Sequence, residues 1–144
     1  MLQVYSNGVT VSIPADGVAF VPFNNVAKDK GCDSRLVAPG TVQVNRQGVY
    51  PVQVNASLTA ATAGDYILQL YVNGVARPET LTRVTLAAGS YSAASLQDLV
   101  TVEKNNTNCC YSSPTLLQVG VSNAAGTAAD VTFANISEIV TRMC

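Results

Sequence analysis

The most regular signal in the chain runs from Tyr50 to Ala60. Tyr50, Val52, Val54, Ala56, Leu58 and Ala60 fall on one side, with Gln53, Asn55, Ser57 and Thr59 on the other. Successive side chains of a strand point to opposite faces, so this alternation predicts a β-strand with one dry and one wet side. Val42 and Val44, just ahead of it, predict a short partner strand. Asn7-Gly8 and Asn73-Gly74 each sit between Val-rich runs and read as tight turns, because Asn and Gly accept the positive φ such turns demand. Further breaks fall at Pro14-Ala15-Asp16-Gly17, Pro39-Gly40, Gln47-Gly48, Gly64-Asp65, Gly89-Ser90 and Ala125-Gly126. The β-rich runs between them, about five to ten residues each, have the spacing of a sandwich or barrel. No sustained i, i+3, i+4, i+7 apolar stripe is present, so any helix is marginal. No linker or repeat divides the chain. The expectation is one all-β domain over 1–144, with 1–16 as an N-terminal hairpin or arm and 17–144 as the sandwich.

Three runs depart from simple alternation. Val18-Ala19-Phe20-Val21-Pro22-Phe23 is apolar on both faces, and Tyr66-Ile67-Leu68-Gln69-Leu70-Tyr71-Val72 nearly so. In the last strand Val131 and Phe133 point one way, while Ala134, Ile136 and Val140 point the other, with Ile139 crossing back. One face of each sheet in a sandwich is covered by the other sheet and the second normally meets water. A strand apolar on both faces therefore needs another cover, either loops or a second copy of the chain. On the second reading Phe20, Phe23, Ile67, Gln69, Tyr71 and Ile136 are candidates for a subunit interface.

Composition sharpens this picture. Of 144 residues, 48% are apolar and only 12% charged, about half the charged share of an ordinary soluble domain. Ser, Thr, Asn, Gln and Ala fill the deficit, and polar but uncharged surface suits subunit packing. The net charge is −1, from 8 basic and 9 acidic residues scattered singly. Without a basic stripe to attract phosphates, nucleic acid is excluded as a partner. No run approaches the ~18 apolar residues of a membrane span, and the start, Met1-Leu2-Gln3-Val4-Tyr5, shows no signal peptide.

The string Gly48-Val49-Tyr50-Pro51-Val52-Gln53-Val54, followed by Leu68-Gln69-Leu70-Tyr71-Val72-Asn73-Gly74, resembles the signature of complement-type globular heads and tumour-necrosis-factor-like jelly rolls. In that family a Gly-x-Tyr-x-Val strand precedes an x-Leu-x-Val-Asn-Gly strand and hairpin. An aromatic first strand (Val18 to Phe23) and a Phe-bearing last strand (Val131 to Val140) extend the resemblance over residues 17 to 143. Gly31-Cys32-Asp33-Ser34-Arg35-Leu36, with Cys109-Cys110 in a late loop, is similar to head-fibre or virion-decoration proteins of phages and prophages of Gram-positive bacteria. The resemblance implies a jelly roll of about ten antiparallel strands in two sheets, trimerised around the inner sheet. The chain departs from the family in lacking a collagen-like or coiled-coil stalk and the acidic cluster of a calcium site.

Catalytic chemistry is poorly represented. Histidine is absent, which removes the usual general base and the commonest metal ligand. No nucleophile elbow, phosphate loop or carboxylate pair is legible, so no enzymatic role and no cofactor are expected. The reactive set is Cys32, Cys109, Cys110 and Cys144. No Cys-x-x-Cys knuckle marks a zinc site. A bond between the neighbours Cys109 and Cys110 would close a strained ring, so each looks to a different partner; of the pairings open to four cysteines, Cys32 with Cys109 or Cys110 is preferred because they lie in loop-like stretches between strands. Free thiols packed as small apolar groups are the alternative. The expected function is a trimeric virion structural protein, with a capsid protein or a host-surface glycan as candidate partner. A bacterial cell- or spore-surface adhesive module of the same fold, or a secreted receptor ligand, is the alternative.

Overall fold

A computed structural model describes residues 1–30, 34–102 and 115–143. Twelve strands are present among them: β1 (Leu2–Ile13), β2 (Val18–Phe20), β3 (Asn25–Asp29), β4 (Ser34–Ala38), β5 (Thr41–Val44), β6 (Gly48–Ala60), β7 (Gly64–Val72), β8 (Val75–Ala76), β9 (Thr82–Leu86), β10 (Ser92–Val102), β11 (Thr115–Asn123) and β12 (Ala129–Val140). The helical content of the described residues is a single 3₁₀ turn, Pro78–Thr80. One sheet has the order β10-β6-β12-β1-β3. The other has β4-β5-β11-β7-β8, with β2 added to β11 and β9 to β7. Every strand pairing is antiparallel, and consecutive strands repeatedly change sheets, which makes the domain a jelly-roll sandwich.

The alternation read in the sequence of β6 is the one observed: Tyr50, Val52, Val54, Ala56, Leu58 and Ala60 are all buried. Between the sheets they meet Leu68 and Leu70 of β7, Leu117, Val119 and Val121 of β11, and Phe23 and Phe133, in one continuous core. Each large side chain so enclosed contributes roughly 1.5–3 kcal/mol through burial. Tyr50 and Tyr66 are fully enclosed yet satisfied, because each hydroxyl donates to the carbonyl four residues upstream, of Arg46 and Thr62, both at 2.8 Å. Asn73-Gly74 is the two-residue turn the sequence predicts: both residues have positive φ (52° and 79°), and Val72 pairs with Val75 across it.

Four expectations are corrected. Residues 1–16 are neither hairpin nor arm; β1 is one long strand held between β12 and β3. Asn7-Gly8 lies inside it, where Gly8 (φ 64°) shifts the phase of burial from Leu2, Val4 and Ser6 to Val11 and Ile13 without turning the chain. The first strand is therefore β1 and not Val18 to Phe23. Val42 and Val44 do form a strand, but β5 pairs with β4 and β11 in the sheet opposite β6. In β12 a bulge between Phe133 and Asn135 brings Val131, Phe133, Ile136 and Val140 all to the core face. Ile139 lies on the outer side.

Candidate functional surfaces

The sandwich presents two broad sheet faces to the outside, and they differ in chemistry. On the five-stranded sheet the outward positions of β6 are Pro51, Gln53, Asn55, Ser57 and Thr59, and those of β10 are Ala93, Ser95, Gln97, Leu99 and Thr101. Beside them stand Thr132, Ser137 and Ile139 of β12 and Gln3, Tyr5, Asn7 and Thr10 of β1. None of these side chains is charged. Among the described strands of this sheet, charge returns at the rim, with Asp130 at one end of β12 and Lys28 and Asp29 on the edge strand β3. The strands are stitched on this side by side-chain bonds, Thr10 Oγ1 to Thr132 Oγ1 at 2.9 Å and Asn135 Nδ2 donating to Asn7 Oδ1 at 2.7 Å. Leu99 is 58% exposed. It stands opposite Pro51, and with Gln53, Gln97 and Asp98 the pair lines a shallow depression. The Asp98 side chain is mostly buried and accepts from Arg77 Nε at 3.0 Å.

The outer face of the seven-stranded sheet carries a group of apolar and aromatic side chains. Phe20 of β2, Gly120 of β11 and Gln69 of β7 lie in one row across the ladder. Gly120 leaves the backbone bare: a Cβ there would come within 2.5 Å of Tyr71 Cε2 and 2.7 Å of Val18 Cγ1. Tyr71 lies across that gap and meets Phe20 edge-on, with ring centroids 5.2 Å apart and planes at 85°, a favoured geometry for aromatic pairs. Partial burial raises the Tyr71 hydroxyl above the usual phenol range. Gln69 Nε2 donates to Arg77 O at 3.1 Å, which fixes its side chain beside the aromatic pair. Beyond half-buried Ile67 the face ends in a polar cluster, where Asp65 accepts from Thr85 Oγ1 and Arg83 Nη2, each at 2.7 Å. The Thr85 bond, then the guanidinium, hold the Asp65 carboxyl below its ordinary range.

Of the six interface candidates, the structure brings four together: Phe20, Ile67, Gln69 and Tyr71 share this outer face. Phe23 and Ile136 do not join them. Both are completely enclosed between the sheets of a single chain, so neither is available to a neighbour. Cys32, Cys109, Cys110 and Cys144 lie outside the described residues. Among the described residues no three metal-ligating side chains converge, and no helix is long and apolar enough to cross a membrane.

One functional group escaped the sequence reading. Glu138 of β12 is 0% exposed, and neither of its carboxylate oxygens has a hydrogen-bond partner. The signal was present: Ile136 and Val140 share a parity with Glu138, so any strand that buries the first two buries the third.

No family model and no curated protein matches the chain. Solved structures do. The globular domain of zebrafish complement 1qA protein superposes with a TM-score of 0.61 at 14% identity, over 99% of this chain and 98% of that one. A tumour-necrosis-factor protein of S. frugiperda, Eiger, gives 0.57 at 15% identity, covering 99% and 92%. The vertex protein P5 of PRD1 gives 0.54 at 16% identity, covering 99% of this chain and 72% of that one. The order of strands, the two packed sheets and these similarities together give the chain the jelly-roll fold of complement heads and tumour-necrosis-factor proteins, which viral structural proteins also use.

Proposed function

We propose that this chain is a non-enzymatic structural protein of a phage virion, a head fibre or capsid decoration, that assembles as a homotrimer through the outer face of its five-stranded sheet. The observation that carries the reading is that the centre of that face is free of charge across four adjacent strands. Interface centres are depleted in charged groups because each charge taken out of water needs a partner. Here nothing ionic has to be desolvated, amides and hydroxyls can bond to a neighbour, and Leu99, Pro51 and Ile139 supply apolar contact. A vertex protein of PRD1 is among the structures that share the fold, which supports a virion home. A trimer built this way turns the Phe20–Tyr71 face outward, toward a capsid protein or a host-surface glycan.

Light scattering at micromolar concentration tests the assembly. The wild-type protein is expected at three times the chain mass. Gln53→Lys, which places a charge at the centre of the uncharged face, is expected to give a folded monomer, while Ile67→Lys on the opposite sheet leaves the trimer intact. Dissociation by Ile67→Lys alone would move the interface to the face formed by Phe20, Ile67, Gln69 and Tyr71, and a monodisperse wild-type monomer refutes the assembly. Antibody labelling of purified particles tests the location. Labelling of the bacterial envelope instead would favour the adhesive module.

A further inference from the structure

Glu138 stands at the centre of the five-stranded sheet, in a place that ordinarily takes Val or Leu. Across the ladders it faces Val4 of β1 and Val54 of β6. Its neighbours along its own strand on the same face are Ile136 and Val140, and all four are fully buried. The bulge at Phe133/Asn135 is what turns it inward; with a regular register, Glu138 would project into solvent. One ladder step away, Ser6 stands opposite Ile136, but its hydroxyl is already used, donating to Pro22 O at 2.6 Å and accepting from Asn24 N at 3.0 Å.

Other ionisable groups turned inward are few and engaged. On β6 there is Tyr50, bonded to Arg46 O, and on β10 Asp98, bonded to Arg77. From β1 no ionisable side chain faces the core, and across it the described strands of the seven-stranded sheet contribute only Tyr66, bonded to Thr62 O. Among the described residues no cation meets the Glu138 carboxyl. An ionised carboxylate without partners in such surroundings is strongly disfavoured, whereas the neutral acid is tolerable.

We propose that Glu138 is a proton latch: the two sheets close over it only as the uncharged acid, so each chain takes up one proton on folding near neutral pH and loosens along β12 when that proton is lost. Burial alone pushes the Glu138 carboxyl from 4.5 up to about 8. The sign follows. The unfolded chain releases this proton above about 4.5 and the folded chain holds it until about 8. The stabilisation is complete at acid pH, declines through the interval and is lost once the folded carboxyl ionises. With no histidine in the sequence, no other side chain of ordinary pKa titrates between about pH 5.5 and 7.5.

The test is the equilibrium constant for denaturant unfolding as a function of pH, with wild type beside Glu138→Gln and Glu138→Leu at one protein concentration. One proton of difference makes the wild-type unfolding constant rise about tenfold per pH unit over that window and level off above pH 8. Both variants are expected to be flat there. Wild type should also show the infrared carbonyl band of a buried protonated acid at pH 7, and the band should fade as the pH passes 8. A flat wild-type profile, or absence of that band at pH 7, overturns the proposal even if neither variant folds; parallel profiles for wild type and a folded variant overturn it too.

Discussion

At the scale of single residues, the decisive contacts are polar groups that the core encloses and satisfies. Ser6 is the clearest. Its hydroxyl bridges Pro22 O and Asn24 N, and so fastens the segment after β2 against β1. Ser6→Ala leaves both backbone groups short of a partner, and thermal or denaturant unfolding should show a loss of roughly 1–3 kcal/mol. No local pattern points to this residue, since a serine between Tyr5 and Asn7 looks like any exposed strand position. The same limit explains the split fate of Phe20 and Phe23. Both lie in a run that is apolar throughout, and which side of such a run faces the core depends on the sheet it joins. Glu138 was hidden differently: its parity with Ile136 and Val140 marks it for burial, but a carboxylate interrupts the apolar pattern that marks a core face.

Elements followed the sequence where period-two alternation is unbroken or a turn declares itself in two residues. Strand β6 and the Asn73-Gly74 turn are of this kind. Reading failed where a strand changes phase, because a bulge alters no composition and announces itself only in register. Strands β1 and β12 shift phase side by side, at Gly8 and at Phe133/Asn135, so each irregularity accommodates the other. Gly8 has open space for a side chain, so its requirement is conformational: φ is 64°. Gly8→Val should therefore cost about 1–2 kcal/mol in stability through the backbone, and Gly8→Asn, which tolerates that region, distinctly less. Circular dichroism melts of the two variants check the ordering. The second partner of β5 was likewise beyond local reading, because it lies far along the chain in β11.

For the whole molecule, fold class and the scarcity of charge were legible from composition and spacing, while the face on which the uncharged residues gather was not. The cysteines belong to this scale as well. We propose a bond from Cys32 to Cys109 or Cys110, which would close a loop of about 77 residues. By restricting the unfolded chain such a link should stabilise by roughly 2–4 kcal/mol. Peptide mapping without reductant should recover the bond, and reduction should lower the melting temperature by several degrees without dispersing the trimer. Free alkylation of all four thiols in the native, unreduced protein would show instead that they act as packing groups.

The pairing of β1 with β12, with Leu2 opposite Val140 and Ile13 opposite Ala129, has a consequence for how the protein is made. β12 is the central strand of its sheet, flanked by β1 and β6. A ribosome delivers β1 first of these strands and β12 last, on the order of ten seconds later at ordinary translation speeds. Throughout that interval β1 and β6 wait with open edges and no strand between them. The five-stranded sheet is therefore complete only once its last strand has been made, and that strand is the one that carries Glu138.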